Sequence, residues 1–305
     1  MASRAAVIRW LLDADPAIRW QVMRDLTDAP AEAVAAERSR VALEGWGARL
    51  LGLQGAGGQW GPADDEGWMT TIHALAWLKD LGPDPASEPV RRAIGLVRDR
   101  LIFWQHDGRP YFEGETEACI NGRILGAGAY FGEVSDKLAA RLLDEQLEDG
   151  GWNCDAPQSK RSSFHSTICV LEGLLAYEQA RGPSDALTRA SARGQDYLLE
   201  RRMLKSLTSG EVIDQRWTRF AFPTGWHYDV LRGLDYLRSA GARPDERAAE
   251  AIALVEQRRH QNGRWPLGVL HKDRPAIHFD MEPGVGSASR WNTLRAMRVL
   301  DWYRN

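Results

Sequence analysis

The sequence is poor in cysteine, in charge of one sign and in long apolar runs. Three Cys among 305 residues cannot build a disulfide framework, which leaves free thiols or metal ligands. Lys and Arg number 39 against 42 Asp and Glu, a formal charge of −3. The basic surplus of an electrostatic nucleic-acid binder is therefore missing. No stretch approaches the roughly 18 consecutive apolar residues of a membrane helix. Near the start, Arg9 falls inside what would be the apolar core of a signal peptide, so the expectation is a cytoplasmic chain. Strand signal is almost absent, and no P-loop or Gly-x-Gly-x-x-Gly motif stands in strand–helix context.

Tryptophan is what the chain has in excess: 13, against 7 Tyr and 7 Phe. So bulky and frequent a ring points to a recurring role, and a repeat is present. Its marker is a Gly-rich turn followed by an aromatic residue. The copies run Gln54-Gly-Ala-Gly-Gly-Gln-Trp60, Gln105-His-Asp-Gly-Arg-Pro-Tyr111, Gln146-Leu-Glu-Asp-Gly-Gly-Trp152 and Gln257-Arg-Arg-His-Gln-Asn-Gly-Arg-Trp265. A degenerate unit lies before the last, where Lys205 to Pro223 replaces the Gly-Trp turn.

Each turn follows one amphipathic segment and precedes another. The spacing predicts helices ahead of the turns at 32–53, 88–104, 134–147, 186–203 and 245–260, mixing charge with apolar residues at helical period. Those after the turns, at 68–81, 117–131, 164–180, 226–240 and 288–303, are more apolar and richer in small residues. Small residues allow close packing, which places the second set inside and the first outside. Residues 1–29 read as a separate helical pair, with Asp15 and Pro16 opening its second helix. Residues 30–305 read as one domain.

Helical hairpins joined by Gln…Gly-Trp turns resemble the all-α fold called the α/α toroid, shared by triterpene cyclases and the β subunits of protein prenyltransferases. The resemblance spans roughly residues 30–303, and Gln146 to Trp152 is its most specific piece. It identifies a fold and no reaction. The Asp-x-Asp-Asp acid motif of triterpene cyclases is missing: Asp13-Ala-Asp15-Pro16 and Ala63-Asp64-Asp65-Glu66 both fall short. A squalene or hopene cyclase is therefore not expected. Prenyltransferase β subunits bind zinc with an Asp-x-Cys pair and a later His. The resemblance carries these roles to Glu117, Cys119 and His165, with Glu replacing Asp and with no partner subunit implied.

In a toroid the inner helices run the same way, so their N-termini meet on one face. Glu117, Cys119, His165, His227 and Asp229 all fall at such starts, and Cys154 and Asp155 lie in the loop leading to one. Helix N-termini favour thiolates, and zinc favours Cys sulfur and His nitrogen. Cys119, Cys154 and His165 thus form the expected Zn2+ set, with Glu117, Asp155 or water as the fourth ligand. Cys169, a turn deeper than His165, reads as core.

Phe222-Pro-Thr-Gly-Trp226-His227-Tyr228-Asp229 opens another inner helix. Asp229, His227 and Glu117 are the candidate acid–base groups. Trp68, Phe164, Trp226, Tyr228 and Trp291 are candidate aromatic walls for a largely apolar ligand. Glu282 and Arg290 either bind a polar group of it or pair with each other. His106, His260 and His271 read as solvated. The resulting expectation is a zinc enzyme acting on a small, largely apolar molecule in a central cavity, by metal-activated attack or prenyl transfer. It would need no nucleic acid, membrane span or obligate partner. Two alternatives stand beside it. One is an interaction scaffold with structural zinc. The other is a carbohydrate-active barrel using Asp229 and Glu282.

Overall fold

The computed structural model describes residues 3–62, 67–271, 277 and 279–304. The Ala63 to Glu66 segment falls outside them. The fold is all-α. Ser3 and Asp15 cap α1 (Arg4–Leu12) and α2 (Pro16–Leu26) by accepting the Ala6 and Ala17 N–H groups, and Pro16 fills the first helical position. The helix expected over 32–53 is broken into α3 (Ala31–Ser39), a 3-10 turn at Arg40–Ala42 and α4 (Gly45–Gly52). Gly45 takes a φ of 60° at the break, a conformation that costs glycine nothing.

The remaining helices are α5 (Gly67–Leu81), α6 (Glu88–Arg100), α7 (Ala118–Phe131), α8 (Asp136–Asp144), α9 (Phe164–Arg181), α10 (Asp185–Glu200), α11 (Val230–Ser239), α12 (Ala249–Gln257) and α13 (Arg290–Arg304). Between α6 and α7 lies a short antiparallel hairpin of β1 (Ile102–Phe103) and β2 (Arg109–Pro110), with Ile102 opposite Pro110 and Phe103 opposite Arg109. The expected contrast between the two helix sets is visible in burial. Nearly every residue of α7 is buried, whereas α8 buries only Leu138, Ala139 and Leu142.

The chain folds as two compact units. One comprises Met1–Val41, Leu198–Lys272 and Asp280–Asn305, and holds α1–α3 and α11–α13; the other comprises Ala42–Tyr197 and Asp273–Phe279, and holds α4–α9 with α10 through Tyr197. In the first unit α13 is tied to the N-terminal helices. Arg298, 7% exposed, pairs with Asp25 and donates to Gln21 Oε1 at 3.0 Å, and Arg4 forms two bonds to Asp301. In the second, α7 and α9 touch backbone to backbone. A Cβ on Gly173 would sit 2.3 Å from the Gly122 carbonyl oxygen, and one on Gly122 would sit 2.4 Å from that of Cys169.

Three of the 13 Trp residues close the repeat turns. Trp60, Trp152 and Trp265 are at most 1% exposed, and each indole N–H donates to the carbonyl ten residues earlier, of Leu50, Leu142 and Val255, at 2.6–2.7 Å. Each Trp backbone N–H donates at 3.0 Å to a threonine hydroxyl in the next helix: Thr71, Thr167 or Thr293. The turn itself closes alike in all three, through bonds from Gly55 to Gln59 O, Leu147 to Gly151 O and His260 to Arg264 O. Gln54 and Gln146 lock the turn to its neighbours. Each Nε2 donates within the turn, to Gly58 O or Gly150 O, and outward to Ala93 O or Ala190 O. In the last copy the residue six before the Trp is Arg259, not Gln257. Its Nε donates to Gly263 O at 3.3 Å and its guanidinium lies 5.3 Å from the Trp265 ring.

Candidate metal centre

In the second unit, Glu117 stands in extended conformation as the N-cap of α7, but its side chain makes no capping bond. The amides of the first helical turn therefore need acceptors from elsewhere. Cys154 supplies one: its Sγ accepts the Cys119 N–H at 3.3 Å. Cys154 sits in the loop between Trp152 and α9, which is pinned at several points. Asn153 Nδ2 donates to Arg161 O at 2.7 Å, and Asp149 accepts both the N–H and the hydroxyl of Ser162. Ser166, in the first turn of α9, accepts the Cys154 N–H at 3.2 Å, and its Oγ is also 3.2 Å from Cys154 Sγ.

The outcome is a compact donor set. One carboxylate oxygen of Glu117 and the sulfurs of Cys119 and Cys154 all lie within 4.8 Å of one another. Cys119 Sγ is 3.8 Å from Glu117 Oε2. Glu117 is exposed, Cys154 half-buried and Cys119 buried. The Cys154 thiol is held below its ordinary value, chiefly by the hydrogen bond from the Cys119 side chain and further by Ser166 and the Cys119 N–H, against the effect of burial. The Cys119 thiol is pushed up, because it donates to Cys154 and because it is buried. Of the two thiols, Cys154 gives up its proton the more readily.

The donor chemistry fits zinc. Two sulfurs and a carboxylate oxygen are among its preferred ligands, and tetrahedral Zn–S bonds of about 2.3 Å separate two sulfurs by about 3.8 Å. His165 is half-buried in the first turn of α9 and lies outside the group, as does exposed Asp155, whose N–H donates to Asn153 Oδ1 at 3.0 Å. Ser166, one residue beyond His165, is what touches Cys154. The sequence carried no signal for it beyond its place at a helix start. Cys169 is fully buried. Of the aromatic candidates in this unit, Phe164 is buried against Tyr197, with ring centroids 5.3 Å apart. Trp68 is half-buried and meets Phe103 edge-on at 5.5 Å.

The other expected site residues belong to the first unit. Asp229 is 3% exposed, and both its oxygens are taken by backbone amides: Oδ2 by Ala221 at 3.0 Å and Oδ1 by Arg232 at 2.8 Å. It is the N-cap of α11, which for that reason starts at Val230 and not at 226. Burial raises its pKa, opposed by Arg295 and by those two amides. These contacts give Asp229 a structural role in fixing the start of α11.

Tyr228 is likewise structural: 2% exposed, its hydroxyl donates to Met203 O at 2.6 Å. Trp291 is buried and stacks on Phe222 at 4.3 Å. Trp226 and His227 are half-buried and stacked at 3.9 Å. His271, expected in solvent, stacks on His227 at 3.6 Å with the rings 9° from parallel.

Glu282 and Arg290 do not pair. The Arg290 guanidinium lies 4.6 Å from the Trp10 ring and donates to Trp10 O. Glu282 Oε1 accepts the Ser289 hydroxyl at 2.5 Å and the Trp291 N–H at 3.3 Å, while Oε2 is buried with no partner. Burial pushes its pKa up to about 7, against the pull of Ser289, the neighbouring amides and the Arg290 charge.

No protein-family model and no curated protein matches the sequence. Among solved structures, the chain is similar to a protein from Actinoplanes, at 16% identity and TM-score 0.48, over 99% of this chain and 100% of that one. It is also similar to two variants of the type II terpene cyclase MstE from Scytonema. The variant in complex with merosterolic acid A gives 16% identity and TM-score 0.46, over 92% of this chain and 85% of that one. The variant in complex with geranylgeranyl dihydroxybenzoate gives 15% identity and TM-score 0.38, with the same coverage. The likeness is one of all-α fold, at low sequence identity.

Proposed function

We propose that this protein is a zinc enzyme whose metal is held by Cys119, Cys154 and Glu117 at the start of α7, and whose substrate is a small, largely apolar molecule of isoprenoid kind. The observation that carries the reading is the convergence of those three donors from two separate segments. Ser166 and the Cys119 N–H orient the Cys154 sulfur. Zinc there would supply Lewis acidity toward a water or a thiol bound beside it. Exposed Glu117 completes the set from the solvent side. An open position beside three protein donors is the arrangement of a catalytic zinc, and a fourth protein ligand that of a scaffolding one. The substrate class rests on the resemblance of the repeat to toroid enzymes that handle isoprenoids.

Metal content tests the reading. The full chain, purified without chelator, is expected to carry about one zinc per chain, and the Cys119→Ser and Cys154→Ser proteins little or none. Absence of stoichiometric zinc from the wild type, or unchanged zinc in the doubly substituted protein, would remove it.

A further inference from the structure

We propose that Cys119 and Cys154 are a reversible dithiol–disulfide pair, a redox modification site as well as a ligand pair. The two residues come from different segments, the first turn of α7 and the loop ahead of α9, so a bond between them would staple loop to helix. Their sulfurs lie within 4.8 Å, and Cys154 Sγ is already 3.3 Å from the Cys119 backbone nitrogen. A disulfide at about 2.05 Å needs the sulfurs to close by less than about 3 Å. Access orders the steps. Cys154 is half-buried, Cys119 is 8% exposed and Cys169 is fully buried, so an external oxidant meets Cys154 first.

The oxidant is a low-molecular-weight disulfide such as oxidised glutathione. Cys154 Sγ attacks one of its sulfurs, breaking the glutathione S–S bond and releasing one glutathione, and a mixed disulfide forms on Cys154. Cys119 Sγ then attacks Cys154 Sγ and releases the second glutathione. Two electrons pass to the oxidant, and the two thiol protons leave with the two glutathione thiols. On the metal reading above, which this consequence rests on, oxidation removes two of the three donors and switches the zinc site off. The disulfide itself does not depend on that reading.

The test is a non-reducing peptide map of the full chain, reduced, freed of metal with a chelator, equilibrated with oxidised glutathione and trapped with iodoacetamide. The expected result is loss of two of the three free thiols and a peptide linked through Cys119 and Cys154, both reversed by dithiothreitol. The Cys169→Ala protein should give the same linkage, and the Cys119→Ser protein should stop at the mixed disulfide on Cys154. Three thiols alkylatable at every glutathione ratio, or a linkage through Cys169, would overturn the proposal, and the wild-type map alone reports both. A parallel arm adds zinc before the oxidant. Disulfide formation unaffected by zinc counts against the metal and leaves the pair standing. Zinc bound with no disulfide formed at any ratio after its removal defeats the pair and leaves the metal.

Discussion

Glu282 shows how a side chain named from sequence acquires a different role from its surroundings. Read beside Arg290, it suits either a ligand contact or half of an ion pair. In the fold, Arg290 turns to Trp10, and Glu282 keeps Ser289 and one backbone amide on Oε1 while Oε2 is buried without a partner. Its folded pKa is about 7 against a usual 4.5, so folding favours the protonated acid. A raised carboxyl pKa contributes its full stability below pH 4.5, and that stability is lost as the pH rises through 7. Glu282→Gln should therefore match the wild type at pH 4 and exceed it at pH 8, by up to about 3 kcal/mol. Urea unfolding at the two pH values measures it, and equal stability at pH 8 would show that the charged form is accommodated after all. Asp229 makes the complementary point. Its residue type at a helix start made it an acid–base candidate, and in the fold one oxygen caps α11 through Arg232 N–H while the other takes Ala221 N–H.

The helical hairpin closed by a Trp turn is the element in which sequence and structure agree best. Apolar period and the Gly-Trp marker locate the helices on either side, because both signals are local. The partner of the Trp backbone amide was not legible. Thr71, Thr167 and Thr293 do the same work in three copies, yet they follow their Trp by 11, 15 and 28 residues. Loops of unequal length hide the repeat from any fixed spacing, and only the inner-helix start brings each hydroxyl back to the same point. The Gln marker failed in the other direction. Gln257 fits the motif by type, but Arg259 occupies the structural position. If these contacts carry the turn, Thr167→Val, which keeps the shape and removes the acceptor for a buried N–H, should cost about 1–3 kcal/mol. Thr167→Ser should recover most of it. Chemical denaturation of the two proteins reads the difference, and identical midpoints would mean that the turn closes without the hydroxyl. At the Glu117–Cys119–Cys154 cluster, the local signal, a cysteine at a helix start, was visible. Which donors converge on it was not, because that depends on how the loop 153–163 folds back over α7.

At the scale of the whole molecule, each compact unit is assembled from segments that are separate in sequence. The first unit joins α1–α3 to α13, nearly the full length of the chain away, and a buried cation is part of the joint. Arg298 is buried, and burial depresses its pKa to about 10 despite Asp25 and Asp235. Removing Asp25 leaves this charge without its ion-pair partner, so Asp25→Ala should destabilise the protein by about 3 kcal/mol, seen as a lowered thermal midpoint. No change would mean that Asp235 suffices alone.

In the other unit, Glu117, Cys119 and Cys154 come together as the donors of the proposed zinc site. X-ray absorption at the zinc edge of the full chain tests it most directly. Two sulfur scatterers at about 2.3 Å, with oxygen or nitrogen completing the shell, are expected in the wild type, and one fewer sulfur in Cys154→Ser. A zinc shell without sulfur, or one that the substitution leaves unchanged, would contradict it.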